Sequence, residues 1–299
     1  MTDLRFYVLT PTYNRAERVV RAVESVLNQK YDSWEMFVYD DGSSDDTAER
    51  LKPFEQDDRI HIWHGSENLG ANYARNFLLE RILERDEPGM IAILDDDDGY
   101  VPDALARMAE EYAKTSRKWM IARCHTEDGI SLTHWPRAGD IDYVQDHKFG
   151  RGLRGEVAHF FHTSAVGDAR FLTLYPNAEE WYFYYALGRE EKMWAVEFEA
   201  VEMEYLDTGL SRSQPNFEHK AELYRLKLER LGPDAHPKLR ARLLAKRARQ
   251  LLQSGQRKAG LAELARGFAT WPLEPRLYQF FVQQFLPNRL GGFLGRAVG

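Results

Sequence analysis

The chain has a single cysteine, Cys124, among its 299 residues. That excludes an intrachain disulfide, fits a reducing compartment, and lets the thiol be read as a small buried apolar residue. No run approaches the roughly 18 apolar residues that a membrane span needs. The first ten residues lack a basic stretch followed by a long apolar one, so no secretory leader is expected. Internal repeats and low-complexity segments are missing too. What remains is ordinary for a globular protein: 43% hydrophobic and 29% charged residues, at a length that suits one large α/β domain and a smaller appendage without covalent staples.

The net charge of −7 conceals an asymmetry. From Lys220 to Gly299 there are 16 Lys/Arg against 5 Asp/Glu, a net of +11; residues 1–219 carry 24 against 42, a net of −18. Two units with different partners are expected, with a boundary near residue 217. In the basic unit, Arg240, Arg242, Lys246, Arg247 and Arg249 crowd one helical segment, which reads either as a solvated face or as a peripheral contact with an anionic membrane. It lacks interleaved aromatics, so no nucleic-acid partner is expected. Phe280, Phe281, Phe285 and Leu286 are read as packed helix faces, or alternatively as a homodimer or membrane contact.

The first hundred residues alternate between strand and helix patterns. Apolar runs at Arg5–Leu9, Trp34–Tyr39, Arg59–Trp63 and Gly89–Leu94 predict four strands. Helical spacing predicts helices over Ala16–Gln29 and Ala71–Leu83, and Asp45 is expected to cap a short helix over Asp46–Leu51. Such alternation implies parallel β-α-β units, whose ligands bind beyond the carboxyl ends of the strands. Polar clusters stand at those ends: Thr12-Tyr13-Asn14, Asp40-Asp41 and Asp95–Asp98. The middle is more β-rich, with strands expected over Trp119–Arg123, Glu156–Phe161 and Trp194–Glu204, and a helix capped by Asn177 over Ala178–Leu187. From Glu218 onward the pattern is helical, with apolar stripes at Leu243, Leu244, Ala248, Leu251 and Leu252, at Leu261, Leu264, Ala265 and Phe268, and at Leu277, Phe280 and Phe281.

Four consecutive aspartates after a buried strand form the sharpest chemical signal. Adjacent carboxylates repel, and burial raises their pKa, so a fold tolerates them best beside a cation. Hard oxygen donors without His or Cys favour Mg²⁺ or Mn²⁺. The alternative is a solvated acidic turn capping the helix after Pro102. Asn68, Gly70, Arg75 and Asn76 lie where the third strand passes into the next helix, and Arg75 reads either as a bidentate clamp for a diphosphate or as a surface arginine.

At these residues the sequence resembles the family 2 glycosyltransferases of the GT-A fold, a Rossmann-like, mostly parallel sheet flanked by helices, here with a C-terminal helical extension. The matching pieces are Thr10–Arg15, Ser25–Gln29, Asp40–Thr47, Asn68–Asn76 and Leu94–Asp98 followed by Pro102. The resemblance implies a GT-A domain over 1–217, with a nucleotide-binding half over 1–100 and an acceptor-binding half over 101–217, then a basic helical region over 218–299. It implies that Pro11, Thr12 and Tyr13 line the nucleotide pocket, that Asp41 with Asp40 binds base or ribose, and that Asn68 and Arg75 approach the donor, Arg75 at its diphosphate. Asp95 and Asp97 match the D-x-D metal site, with Asp96 an alternative ligand for Mn²⁺ or Mg²⁺.

The resemblance further implies an inverting transfer that needs a general base. The acidic pair Glu179-Glu180 fits that place. Glu180 is favoured although the second position is usually Asp; Glu179 and Asp168 are alternatives, and the pair could instead complement a helix N-terminus. His159 and His162 are read as structural, or as metal or phosphate contacts. Trp181, Tyr182, Tyr184 and Tyr185 are weighed between an acceptor floor and core packing, and Ser211-Arg212-Ser213 falls where the family places a donor-covering loop. The expected donor is a nucleotide-diphosphate sugar, UDP-linked by default, and the acceptor a saccharide or a lipid-linked one in surface-polysaccharide or lipopolysaccharide synthesis. The expected location is the cytoplasm or the inner face of the membrane. The rival readings are a non-catalytic nucleotide-sugar-binding protein and a sugar-nucleotide pyrophosphorylase.

Overall fold

The structure, a computed structural model, describes residues 4–135, 138–143, 153–174, 180–204, 216–231 and 235–283. The chain divides into two compact units, Met1–Gly209 and Leu210–Gly299.

The first unit opens with β1 (Phe6–Thr12), α1 (Ala16–Leu27), β2 (Trp34–Asp40), α2 (Thr47–Leu51), β3 (Ile60–His64), α3 (Ala71–Leu83) and β4 (Met90–Ile93). β1 pairs in parallel with both β2 and β4, and β2 with β3. β1, β2 and β4 are buried on both faces, which is why they read as continuous apolar runs, whereas β3 is half-buried. Then come β5 (Asp98–Tyr100), α4 (Ala104–Thr115), β6 (Trp119–Thr126), β7 (Thr133–His134), β8 (Gly139–Ile141), β9 (Arg154–Gly155), β10 (Val157–His162), α5 (Thr163–Val166), α6 (Trp181–Glu190) and β11 (Met193–Met203). The strand order is β3-β2-β1-β4-β10-β6-β11-β5, with β8 on β11. β10 runs antiparallel between β4 and β6, so the sheet is parallel in its first half and mixed beyond.

Several expectations shift by a few residues. α2 starts at Thr47 rather than Asp46, yet the Asp45 carboxylate still accepts the Thr47 N–H at 3.0 Å. The strand after Thr10 continues through Pro11 and Thr12, because both take part in the ladder with β2. The described part of the helix expected over Ala178–Leu187 is α6, from Trp181 to Glu190; Asn177, Ala178 and Glu179 lie outside the described residues.

Two motif residues serve the fold. Ser25 Oγ accepts the Tyr100 N–H at 3.1 Å. Gln29 is 7% exposed; it donates to Val101 O at 2.8 Å and accepts from Leu105 N at 3.1 Å. Together they fasten α1 to the segment from β5 into α4, just past the aspartates.

The second unit comprises α7 (Phe217–Arg230), α8 (Pro237–Gln253), α9 (Arg257–Thr270) and α10 (Pro275–Gln283). Its core holds Ala245, Ala248, Leu264, Leu277 and Phe280. Gly267 permits the close approach of α10: a Cβ there would lie 2.4 Å from Leu277 Cδ2. Two stripe residues face outward instead, Ala265 and the 43%-exposed Phe281. Among the described residues, no helix is long and apolar enough to cross a membrane. Ser211–Ser213, Phe285 and Leu286 fall outside them.

Candidate active site

Parallel strands point their carboxyl ends to one edge, so β1, β2, β3 and β4 deliver their terminal residues side by side. The loops beyond them are tied together. Asn14, in the left-handed region at φ +52°, donates its N–H to Ser43 Oγ at 2.8 Å, and its side chain accepts from Ser44 N at 2.8 Å. Gly42 has φ +72°, and a Cβ there would lie 2.6 Å from the Glu67 backbone carbonyl carbon, so the turn after Asp40-Asp41 demands glycine.

The residues expected to hold the donor are all on this edge. Pro11 and Thr12 are buried at the end of β1, and Tyr13 follows them 41% exposed. Asp40 accepts the Ser43 N–H at 3.0 Å and meets His64 Nδ1 at 3.0 Å. Asp41, 2% exposed, accepts the backbone N–H groups of Leu69 at 3.0 Å and Gly70 at 2.6 Å. Burial raises the Asp41 pKa against those two hydrogen bonds. Both aspartates therefore shape loops in this structure. Asn68 is exposed beside them, and Asn76 is bound through both side-chain atoms to the backbone of Phe171.

Arg75 is no surface arginine. It is 6% exposed, and its guanidinium lies 2.6 Å from Asp95 Oδ1 and 2.9 Å from Glu180 Oε1. A third contact reaches Asn72 Oδ1 at 3.2 Å. Burial acts to lower its pKa, but the two carboxylates outweigh burial and raise it. Glu180 immediately precedes α6, and its carboxylate does not cap that helix; it faces Arg75 instead.

Asp96, Asp97 and Asp98 are desolvated, while the Asp95 side chain is 41% exposed. Burial, with the charges of Asp97 and Asp95, pushes Asp96 up to about 7. Burial and Asp95 raise Asp97, opposed by Arg15 at 3.8 Å. Burial and its three acidic neighbours push Asp98 up to about 9. Asp98 Oδ1 is buried without a hydrogen-bond partner among the described residues. Clustered carboxylates whose charge is this unfavourable fit a hard divalent cation. Among the described residues no group of three or more His, Cys, Asp or Glu side chains is arranged to hold a metal ion by itself.

A cavity of about 410 Å³ adjoins Asp95, Asp98 and Glu180. Trp181 and Tyr184 line it, as do His159, Tyr143, Cys124 and Met203. Tyr184 stacks on His159 at 3.9 Å and Trp181 on Tyr185 at 4.8 Å. His159 also accepts from Trp119 Nε1 at 3.3 Å. His162 is instead the cap of α5, accepting the Ser164 N–H at 3.2 Å. Asp168 is exposed. Burial drives the Cys124 thiol far up, so it stays protonated as an apolar group would. Tyr143, Cys124 and Met203 were not legible as cavity residues; the alternation along β6 and β11, which turns Cys124, Val201 and Met203 to one side, is the signal for Cys124 and Met203, and Tyr143 lies outside any strand.

The sequence profile of Glycosyl transferase family 2 matches residues 7–169. A Bacillus subtilis protein described as the teichuronic acid biosynthesis glycosyltransferase TuaG is 41% identical over 104 residues, covering 34% of this chain and 40% of that one. The UDP-Glc:alpha-D-GlcNAc-diphosphoundecaprenol beta-1,3-glucosyltransferase WfgD of Escherichia coli is 32% identical over 120 residues, 40% of this chain and 46% of that one. The chain thus spans less than half the length of these curated relatives. The crystal structure of S. aureus TarS 1–349 in complex with UDP-GlcNAc superimposes with a TM-score of 0.72 at 15% identity, over 93% of this chain and 88% of that one, a likeness of fold. The profile covers more than half of the chain and holds all of β1 but Phe6, with β2, β3, β4 and their terminal clusters, so the chain belongs to glycosyl transferase family 2.

Proposed function

We propose that the chain transfers a sugar, with inversion, from a nucleotide-diphosphate sugar to the hydroxyl of a saccharide or lipid-linked acceptor in cell-surface polysaccharide synthesis. One observation carries the reading: Arg75 joins Asp95 of the acidic cluster to Glu180 at the cavity wall. Cluster and cavity are the two halves that a group transfer needs, one for the departing diphosphate and one for the incoming hydroxyl.

In this reading Pro11, Thr12, Tyr13, Asp40, Asp41 and Asn68 form the nucleotide side. Asp95 and Asp97, with Asp96 beside them, would hold a Mn²⁺ or Mg²⁺ ion, which supplies positive charge against the diphosphate that leaves. Glu180 takes the proton of the acceptor hydroxyl as its oxygen attacks the anomeric carbon from the face opposite the nucleotide. Arg75 holds Glu180 in place and keeps positive charge beside Asp95. Trp181 and Tyr184 offer flat faces to a sugar ring, and closure of the cavity by substrate removes water from the reacting atoms. Glu179 is outside the described residues and stays the alternative base.

Support for the donor and acceptor classes comes from the relatives. TarS was solved with UDP-GlcNAc, and the name of WfgD specifies a UDP-sugar donor and a diphosphoundecaprenol-linked acceptor. An acceptor of that kind supports a location at the inner face of a membrane. Calorimetric titration with UDP, dTDP and GDP, each with and without Mn²⁺, tests the donor site. Metal-dependent binding of one nucleotide is expected; a folded protein that binds none of the three would overturn the proposal.

A further inference from the structure

Asn76 closes the motif that begins at Asn68, yet its amide is bound to the backbone of a distant segment. Phe171 lies in no helix or strand. Asn76 Oδ1 accepts the Phe171 N–H at 2.8 Å, and Asn76 Nδ2 donates to the Phe171 carbonyl at 2.9 Å. One side chain thus meets both backbone groups of one residue, as a neighbouring strand would. Buried backbone needs such partners, and this pairing fixes where Phe171 sits along α3. Asn72, one turn earlier and 2% exposed, donates to Leu172 O at 2.9 Å. Spacings of three and four residues put Asn72, Arg75 and Asn76 on one face of α3.

The segment anchored in this way supports Glu180. Phe171 is buried, and its ring stacks on Phe183 with 4.1 Å between centroids and 12° between planes. Phe183 is fully buried in the first turn of α6, and its N–H donates to Glu180 O at 3.0 Å. Asn76 therefore reaches the Glu180 backbone through one aromatic pair. Arg75, its neighbour in sequence, holds the opposite end of the same residue, the carboxylate, at 2.9 Å. An ion pair fixes only the tip of a glutamate side chain, so the backbone that carries it has to be fixed separately. Misplacing a reacting group by about 1 Å costs on the order of 10²-fold in rate.

We propose that Asn76 is a positioning residue for Glu180, acting through Phe171 and Phe183. The inference rests on the reading of Glu180 as the base, and its test separates the two. Hydrogen exchange read by mass spectrometry on the full chain compares wild type with Asn76→Ala. Loss of the clamp should speed exchange of the Phe183 to Leu187 amides by about tenfold or more, with the amides of β1 within about twofold of wild type. Phe171→Leu keeps an apolar side chain but loses the stack; it should act in the same direction, and it serves if Asn76→Ala does not fold. Single-turnover transfer is followed with UDP-glucose and GlcNAc-diphosphoundecaprenol, the substrates in the name of WfgD. Asn76→Ala should slow it by about 10- to 100-fold with UDP affinity within about twofold of wild type. Added to Glu180→Gln it should cost less than about twofold more, since nothing is then left to position. Exchange in α6 that is unchanged in both variants, or raised equally in β1, would overturn the proposal, and so would rate losses that simply multiply in the double variant. Glu180→Gln at the wild-type rate would instead overturn the base assignment, while the exchange result, which needs no substrate, still judges the clamp.

Discussion

Arg75 lies 2.9 Å from Glu180 while its other nitrogen lies 2.6 Å from Asp95, so one buried guanidinium joins the wall of the cavity to the acidic cluster. A cation between two carboxylates supports each only while it stays. Arg75→Ala should lower stability by about 1–2 kcal/mol, since it removes a buried guanidinium but leaves two carboxylates that are 41% and 37% exposed and can be hydrated. Arg75→Lys keeps the charge but loses the fork, so it should recover part of that stability while transfer stays about 100-fold down. Denaturant midpoints and initial transfer rates for both variants decide this. A lysine variant with full activity would show that bridging is unimportant.

Glu180→Gln removes the basic oxygen and keeps the side chain's shape. A general base contributes on the order of 10²–10⁴ to a rate, and a loss of that size is expected here with nucleotide affinity within about twofold of wild type. Single-turnover transfer and a parallel nucleotide titration separate the two effects. Transfer at the wild-type rate would move the base elsewhere, with Glu179 next to be tested.

The sequence carried the first hundred residues well because their structure is local. Buried parallel strands are short apolar runs, and α3 occupies the Ala71–Leu83 span that helical spacing marks. The insertion of β10 between β4 and β6 was not legible, since strand order depends on pairing between distant segments. The same holds for side chains. Arg75 looked like a diphosphate clamp or a surface residue, because Asp95 and Glu180 lie far away in sequence. The basic tail misled in a similar way. Arg242 and Arg247 read as part of a solvated or membrane-facing surface, yet they pair with Glu274 and Glu263, buried acids on other segments. Counting five acids among 80 residues did not show that two of them sit inside.

Stability of the metal-free protein should depend on pH in a direction set by the aspartates. Asp96 and Asp98 are pushed up to about 7 and about 9, and Asp97 is also raised, each chiefly by burial. The folded chain therefore holds protons at pH values where the unfolded chain, with carboxylates near 4, has released them. That stabilisation is full below about pH 4 and is lost as pH rises through 7 towards 9. Melting in EDTA should show these aspartates lowering Tm across that interval, and Asp98→Asn should flatten the slope. A Tm that is level from pH 5 to 9 and unaltered by Asp98→Asn would refute the assignment.

Asp41 poses a choice between two roles, and its geometry permits a clean test. Its two carboxylate oxygens accept the Leu69 and Gly70 N–H groups, and it is 2% exposed. Asp41→Ala leaves the buried Gly70 N–H and the part-buried Leu69 N–H without their acceptor and should cost about 1–3 kcal/mol. Asp41→Asn retains one acceptor oxygen but turns an amide N–H₂ towards the other donor, so a smaller loss is expected. If Asp41 acts only by shaping the loop, nucleotide affinity should fall in step with stability across the two variants, because the loop and Asn68 move together. If it also touches base or ribose, Asp41→Asn should weaken nucleotide binding by about tenfold or more while its melting temperature stays close to wild type. Melting curves paired with UDP titrations distinguish the two, and an Asp41→Ala variant with unchanged stability would contradict the loop-shaping role itself.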